Sequence, residues 1–177
     1  MPNYVYIAIS LDGFIADKDG GIDFLTSTPN PDNNDFGFAS FMDSVDGLVM
    51  GRKTFETVCG FGGEWGYSKR VFVLSNTMTA VPVGYEDKAE VVTGELHSIM
   101  SSLSERGYKN MYIDGGITIQ NFLKEGLIDE LIVTTVPVIL GGGSPLFSSL
   151  SAPVSLELVK SEVLLSALVK NHYCIKK

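Results

Sequence analysis

Cysteine is scarce in this chain, which has two among 177 residues, Cys59 and Cys174. The two are far apart, and neither belongs to a Cys-x-x-Cys pair or has a histidine at metal-binding spacing. The sequence therefore indicates neither a disulfide framework nor a zinc site, and we expect no metal. Because cysteine-poor chains of this size are typical of reducing compartments, we expect a cytoplasmic protein.

Basic residues are also few: 13 Lys and Arg stand against 21 Asp and Glu, a formal net charge of -8 at pH 7. Such a chain as a whole repels nucleic-acid phosphates and anionic lipid surfaces. Long apolar runs are missing too, since nowhere do about 18 apolar residues follow one another, and the N-terminus has no signal-peptide pattern. We expect neither nucleic acid nor a membrane as a partner.

The chain does have the composition of a folded domain, with 45% hydrophobic and 19% charged residues, and we expect a single domain over residues 1–177. Short apolar runs, typical of buried strands, alternate with segments in which apolar residues recur at i, i+3 and i+4, as on one helix face. The predicted strands are 4–10, 47–50, 70–74, 90–93, 109–113 and 128–137, and the predicted helices are 35–43, 52–58, 96–106 and 118–125.

Residues 155–175 contain two further strand patterns with no helix between them. The alternation followed by this hairpin predicts an α/β protein, a three-layer α/β/α sandwich whose mixed sheet is mostly parallel and has an antiparallel C-terminal hairpin. Residues 17–34 are rich in Gly, Asp, Asn and Pro over a stretch too long for a simple connection, which indicates a functional or mobile loop.

Two glycine-containing turns join a predicted strand to a predicted helix, one at Gly51 and one at Gly115 and Gly116. Free amides and aligned dipoles at a helix N-terminus stabilise phosphate, although a single such turn can equally be no more than a tight connection. Neither turn matches the GxGxxG fingerprint or the Walker loop, so a nucleotide site here belongs to another fold.

Several segments resemble those of dihydrofolate reductases, and most closely the branch related to the C-terminal reductase domain of riboflavin biosynthesis. The segments lie in family order between residues 4 and 147. They are SLDGFIA (10–16), LVMGRKTFETV (48–58), VFVLSN (71–76), MYIDGGITIQNFL (111–123), DELIVT (129–134) and PVILGGG (137–143). The resemblance implies a dihydrofolate-reductase-like fold and an NADPH-dependent reductase.

The resemblance also implies where NADPH and substrate bind. Cofactor phosphates are expected at the first turn, on Gly51, Arg52, Lys53 and Thr54, and the pyrophosphate at the second, on Gly115, Gly116, Ile117 and Thr118. Adenosine ribose and its 2'-phosphate are expected after the strand 70–74, at Ser75 and Asn76. Nicotinamide is expected beside Ala8 and Ile15, and substrate at Thr134 on the strand 128–137. A simple turn at Ser75 and plain core positions at Ala8, Ile15 and Thr134 are the alternatives.

Reduction of a C=N or C=O bond needs a proton as well as a hydride, and Asp12 and Asp35 are the candidate catalytic carboxylates. Asp35 could instead cap a helix, and Asp12 could be a turn residue before Gly13. His97 and His172 are expected at the surface or in hairpin packing.

The resemblance favours 5-amino-6-(5-phosphoribosylamino)uracil reductase-like activity on a small heterocycle. Dihydrofolate reduction is a second reading, and a non-catalytic nucleotide-binding protein is a third. The resemblance further implies a homodimer, for which the apolar residues 128–139 offer a pairing surface.

Overall fold

The computed structural model describes residues 1–176, which form one eight-stranded sheet with helices on both faces. The helices are α1 (Phe38–Ser44), α2 (Arg52–Gly60), α3 (Leu96–Glu105) and α4 (Gly116–Lys124), with a 3-10 turn at Asp23–Thr26. The strands are β1 (Asn3–Ser10), β2 (Phe14–Ala16), β3 (Gly47–Gly51), β4 (Arg70–Leu74), β5 (Ala89–Val92), β6 (Met111–Asp114), β7 (Glu130–Val136), β8 (Ser144–Pro145), β9 (Leu156–Leu164) and β10 (Leu168–Ile175).

The sheet order is β5-β4-β3-β6-β1-β7-β10-β9. The six strands from β5 to β7 are parallel, whereas β10 and β9 are antiparallel to their neighbours. The predicted α/β sandwich, with its mostly parallel sheet and antiparallel C-terminal hairpin, is confirmed. β2 and β8 form a separate two-stranded sheet that the sequence did not predict.

Two apolar layers hold the helices to the sheet, one on each face. Alternate residues of a strand point to opposite faces, so that Leu48 and Met50 face α1 and α2 while Val49 faces α3 and α4. The buried side chains Phe55 of α2 and Phe122 of α4 are fully enclosed in these layers. Fully burying one such side chain stabilises the fold by roughly 1.5–3 kcal/mol, an upper estimate for the extended-chain reference.

The prediction that residues 128–139 form a pairing surface is wrong for the strand they contain. β7 is hydrogen-bonded on both sides, to β1 and to β10, and its residues Leu131, Val133 and Val136 are buried. The free edge at this end of the sheet belongs to β9. Among residues 1–176 no helix is long and apolar enough to cross a membrane, since the longest, α3, has ten residues.

Candidate active site

The two glycine turns meet at the edge of the sheet where the parallel strands end. β3 and β6 are neighbours in parallel register, with Met50 opposite Asp114, and α2 and α4 begin immediately after them. The first N–H groups of each helix have no partner within the helix and carry its positive dipole end. Two helix N-termini of the kind that can bind anions therefore lie side by side; the sequence predicted the two turns, and the structure shows that they are neighbours.

Glycine is required for this close approach. A Cβ atom on Gly115 would lie 2.5 Å from Oγ1 of Thr54, and one on Gly51 would lie 3.0 Å from Oγ1 of Thr118. Gly115 also has a φ of +93°, which side-chain-bearing residues rarely adopt. The hydroxyl of each turn thus packs against the glycine of the other, and no side chain caps the N-terminus of α2 or α4.

The loop after β4 is joined to the first of these turns. Nη1 of Arg52 donates to Oγ1 of Thr77 at 3.1 Å, and Oγ of Ser75 accepts the N–H of Met78 at 2.9 Å. Asn76, between them, is exposed. The structure therefore brings together Arg52, Ser75 and Asn76, and adds Thr77, which the sequence reasoning missed because a threonine in a loop carries no distinguishing pattern.

Lys53 projects towards a second open region. With Lys18 it lines a surface depression of about 530 Å³, whose other lining residues are Asp17, Asp19, Gly20, Gly143 and Ser144. Oδ1 of Asp17 accepts the N–H groups of Asp19 and Gly21, so its charge is already engaged by the loop. Lysine side chains beside helix N-termini are the groups that reinforce phosphate binding.

Residues expected near nicotinamide and substrate lie in two places. Ala8 and Thr134 are paired in register on β1 and β7, and Thr134 is buried with 6% exposure. Ile15, on β2, instead reaches α4, where its Cδ1 would be 2.6 Å from a Cβ on Gly116. Ile117 is at the exposed start of α4. These residues surround the end of β1 without forming one continuous wall.

Asp12 and Asp35 are both engaged by main-chain amides. Asp12 accepts the hydroxyl of Ser10 at 2.6 Å and the N–H groups of Leu140 and Gly141 at 3.0 and 2.8 Å. The hydrogen bond from Ser10 is the largest cause that lowers the pKa of Asp12. Asp12 therefore ties the turn after β1 to the PVILGGG segment.

Asp35 accepts the N–H groups of Ala39 and Gly37, both at 2.9 Å, and these bonds lower the pKa of its exposed carboxyl. The helix begins at Phe38, later than predicted, and Asp35 caps it from outside. Proton donation by Asp12 or Asp35 stays a prediction. An exposed carboxyl with a lowered pKa is deprotonated at neutral pH and therefore has no proton to donate there.

Asp114 has the opposite electrostatic character, and the sequence reasoning missed it. It ends β6 directly before Gly115, and burial raises the pKa of its carboxyl, against hydrogen bonds from the Gly115 amide and the Tyr67 hydroxyl that lower it. The Tyr67 hydroxyl donates to Oδ2 at 3.4 Å. A carboxylate placed between a buried strand and a Gly-Gly turn was the available signal.

An aromatic cavity of about 330 Å³ is linked to this carboxyl through Tyr67. Tyr67 lines it and at the same time points its hydroxyl at Asp114. Trp65 packs edge-on against Phe55 and Tyr85, which holds the cavity wall in place. The lining residues are Phe38, Val58, Cys59, Phe61, Gly62, Gly63, Glu64, Trp65, Gly66, Tyr67, Tyr85 and Lys88.

The fold and these turns define a reductase-type α/β domain, and comparisons with known proteins identify the family. The chain belongs to the RibD C-terminal domain family, which it matches over residues 4–170, and this is a family of NADPH-dependent reductases. A crystal structure of a candidate riboflavin biosynthesis protein from Shewanella sp. PV-4 is 55% identical, with a TM-score of 0.98 and full coverage of both chains.

Two more distant structures share the fold. A Thermotoga maritima diaminohydroxyphosphoribosylaminopyrimidine deaminase/5-amino-6-(5-phosphoribosylamino)uracil reductase is 18% identical, with a TM-score of 0.73 over 99% of this chain and 56% of that one. Enterococcus faecalis dihydrofolate reductase, complexed with NADP(H), is 18% identical, with a TM-score of 0.69 over 99% of this chain and 97% of that one. The expected dihydrofolate-reductase-like fold is confirmed.

Proposed function

We propose that this protein is an NADPH-dependent reductase of a small planar heterocycle, and that the heterocycle is a ribosylaminouracil of the kind named for the Thermotoga relative. The observation that carries the proposal is the position of Asp114. Asp114 directly precedes the glycine turn that suits a dinucleotide, and it accepts the hydroxyl of Tyr67, which lines the aromatic cavity that suits a flat ring. Membership of the RibD C-terminal domain family supports the same reading.

The residues of the two turns fit the cofactor. No side chain caps the N-terminus of α2 or α4, so that the first main-chain amides of both helices are available to phosphate oxygens. Arg52, with Ser75 and Thr77, presents a cation and hydroxyls where a 2'-phosphate would be recognised. The cation favours NADPH over NADH.

The part of the proposal that concerns the substrate rests on the source of the proton that the reduction needs. When bound, NADPH supplies a hydride to the carbon of a C=N or C=O bond, and the nitrogen or oxygen of that bond needs a proton. Asp114 holds its proton more firmly than an ordinary aspartate, because burial disfavours its charge. Tyr67 donates its hydroxyl to the carboxyl and lines the cavity, and Phe38 and Trp65 contribute apolar surface to the same cavity.

The first test is cofactor binding. Trp65 is the sole tryptophan and lines the cavity, so energy transfer from it to the dihydronicotinamide reports binding directly. We expect saturable NADPH binding that is tighter than NADH binding. Gly116→Asp adds a carboxylate at the first residue of α4, next to the proposed pyrophosphate site, and we expect it to abolish binding, whereas Gly60→Asp, in open space, leaves it unchanged. Because the new Cβ would lie 2.6 Å from Cδ1 of Ile15, circular dichroism must show that the Gly116→Asp variant is folded. Equal NADPH binding in both variants would contradict the assigned site.

The second test is turnover. NADPH oxidation is followed with the phosphoribosylaminouracil, with dihydrofolate and without substrate. We expect oxidation with the aminouracil. NADPH oxidation with dihydrofolate but not with the aminouracil would support dihydrofolate reduction instead. NADPH binding without oxidation of the cofactor by either substrate would support a non-catalytic nucleotide-binding protein. Dihydrofolate reduction would take Asp35 as its acid, but that carboxyl is exposed and held by two main-chain amides, which gives this alternative little support.

We also propose that the protein is a homodimer that pairs through β9. This edge strand exposes Leu158, Val159 and Val163, the last with 70% exposure, and an apolar edge strand is prone to pair with another chain. Light scattering is expected to give the mass of two chains. Val163→Lys is expected to give monomers, while Ile139→Lys, a matched exposed residue off the strand, stays dimeric.

A further inference from the structure

Three metal-binding side chains meet at the other end of the sheet, away from the glycine turns. Glu130 begins β7, and His172 and Cys174 are next-but-one neighbours on β10, so all three project from the same sheet face. Glu130 is opposite Cys174 in register, and His172 is opposite Ile132. One donor atom from each of the three lies within 4.8 Å of the others.

We propose that Glu130, His172 and Cys174 form a binding site for a thiophilic divalent cation of the zinc class. A thiolate, an imidazole and a carboxylate are the donors that zinc takes in proteins, whereas calcium and magnesium prefer oxygen ligands alone. Three protein ligands leave a fourth tetrahedral position for water or another donor.

Small movements suffice to admit the ion. Nε2 of His172 and Oε2 of Glu130 are 2.6 Å apart and share a hydrogen bond. Tetrahedral zinc with ligand distances of about 2.1 Å separates such a pair by about 3.4 Å, so the two side chains must part by less than an ångström. Both side chains are about a quarter exposed, which gives the ion a path from solvent.

The surroundings of the trio are acidic. Glu157 of β9 is opposite Cys174 in register. Asp129 directly precedes Glu130 in the chain. A cation would relieve this concentration of negative charge. The nearest lysine on β9, Lys160, is engaged by Glu162 at 2.9 Å.

The proposed ion would join β7 to the hairpin strand β10, at a distance from the cofactor turns. Because metal bound only by the folded protein stabilises it by mass action, the site predicts a metal-dependent rise in Tm. It predicts no need for metal in NADPH binding, so that failure of the proposed reductase function leaves this inference standing, and the reverse also holds.

The chain provides its own controls, because it has two cysteines and two histidines and one of each is outside the site. Tag-free, metal-stripped protein is titrated with Co²⁺, whose thiolate charge-transfer band reports cysteine ligation, and then with Zn²⁺ in competition with a chromophoric chelator. Cys174→Ser and His172→Gln are compared with Cys59→Ser and His97→Gln, and circular dichroism of each variant confirms that it is folded.

We expect one equivalent of Co²⁺ to give the thiolate band, and Zn²⁺ to displace it and raise Tm. The band is expected to disappear in Cys174→Ser and to persist in Cys59→Ser, and His172→Gln is expected to weaken Zn²⁺ binding at least about tenfold while His97→Gln does not. A protein without the band, or a band that follows Cys59, overturns the proposal.

Discussion

The turn after β3 and the turn after β6 are neighbours, and each joins a parallel strand to a helix through a glycine, but their chemistry differs. The first carries the cations Arg52 and Lys53, and both are exposed. The second carries no charge after Gly115; its glycine and Thr118 are buried, and an aspartate of raised pKa precedes them. The first turn can attract an anion by charge, whereas the second can hold one only by main-chain amides.

This difference separates recognition from chemistry. Charges on an exposed helix terminus contribute modestly and are screened by salt, so Arg52 and Lys53 suit the selection of a phosphorylated cofactor. A buried carboxyl beside a fixed backbone is screened much less, so Asp114 suits a proton-transfer role. Substitutions in the two turns should therefore fail in different ways.

The largest effect is expected from Gly115→Ala. The new Cβ would meet Thr54 at 2.5 Å, and alanine would have to adopt a φ of +93°. Backbone strain and steric overlap together should lower the free energy of unfolding by about 2–4 kcal/mol. Urea denaturation measures this, with Gly60→Ala, whose Cβ meets nothing within 4 Å, as the control. Equal stability of the two variants would show that the turns are not tightly packed.

Next in size is Asp114→Asn, which keeps the shape of the side chain and removes its acid function. We expect kcat to fall roughly 10²-fold, a typical contribution of a positioned acid, while NADPH affinity stays nearly unchanged. Steady-state kinetics and the fluorescence titration separate the two. The control is Asp43→Asn, at an exposed position of α1. An unaffected kcat would remove Asp114 from the mechanism.

Arg52→Gln should affect selection and not rate. Loss of a charge-assisted contact to the 2'-phosphate is expected to weaken NADPH binding about tenfold and leave NADH binding unchanged. Lys124→Gln, which removes an exposed charge near the end of α4, is the control for net charge. If both cofactors weaken equally, Arg52 acts through helix structure and not through the phosphate.

The smallest effect is a pH dependence of stability. The pKa of Asp114 is raised in the folded protein, so the folded state binds this proton more tightly than the unfolded chain. The stability that this tighter proton binding contributes is fully present below the ordinary aspartate pKa of about 4. It is lost as pH rises through the pKa of Asp114 in the folded protein. Urea denaturation from acidic to neutral pH should show a decline that is reduced in Asp114→Asn; identical pH profiles would contradict the raised pKa.

Local patterns predicted much of the fold. β4 spans the predicted residues 70–74, and β3 and α2 begin at the predicted residues, because dense apolar runs and glycine or charged boundaries act over a few neighbours. β2 and β8 were missed because each has at most three residues and depends on pairing with the other. The 3-10 turn at Asp23–Thr26 was likewise hidden in a loop of turn-forming residues.

The sequence by itself determined the alternation of strands and helices, the two glycine turns and the cations that follow one of them, since each depends on neighbouring residues. Only the tertiary structure decided which strands are neighbours, and with that the contact of Thr54 with Gly115, the central position of β7 and the meeting of Glu130 with His172 and Cys174. Burial, which raises the pKa of Asp114, is also a property of the packed molecule, because desolvation comes from residues distant in sequence.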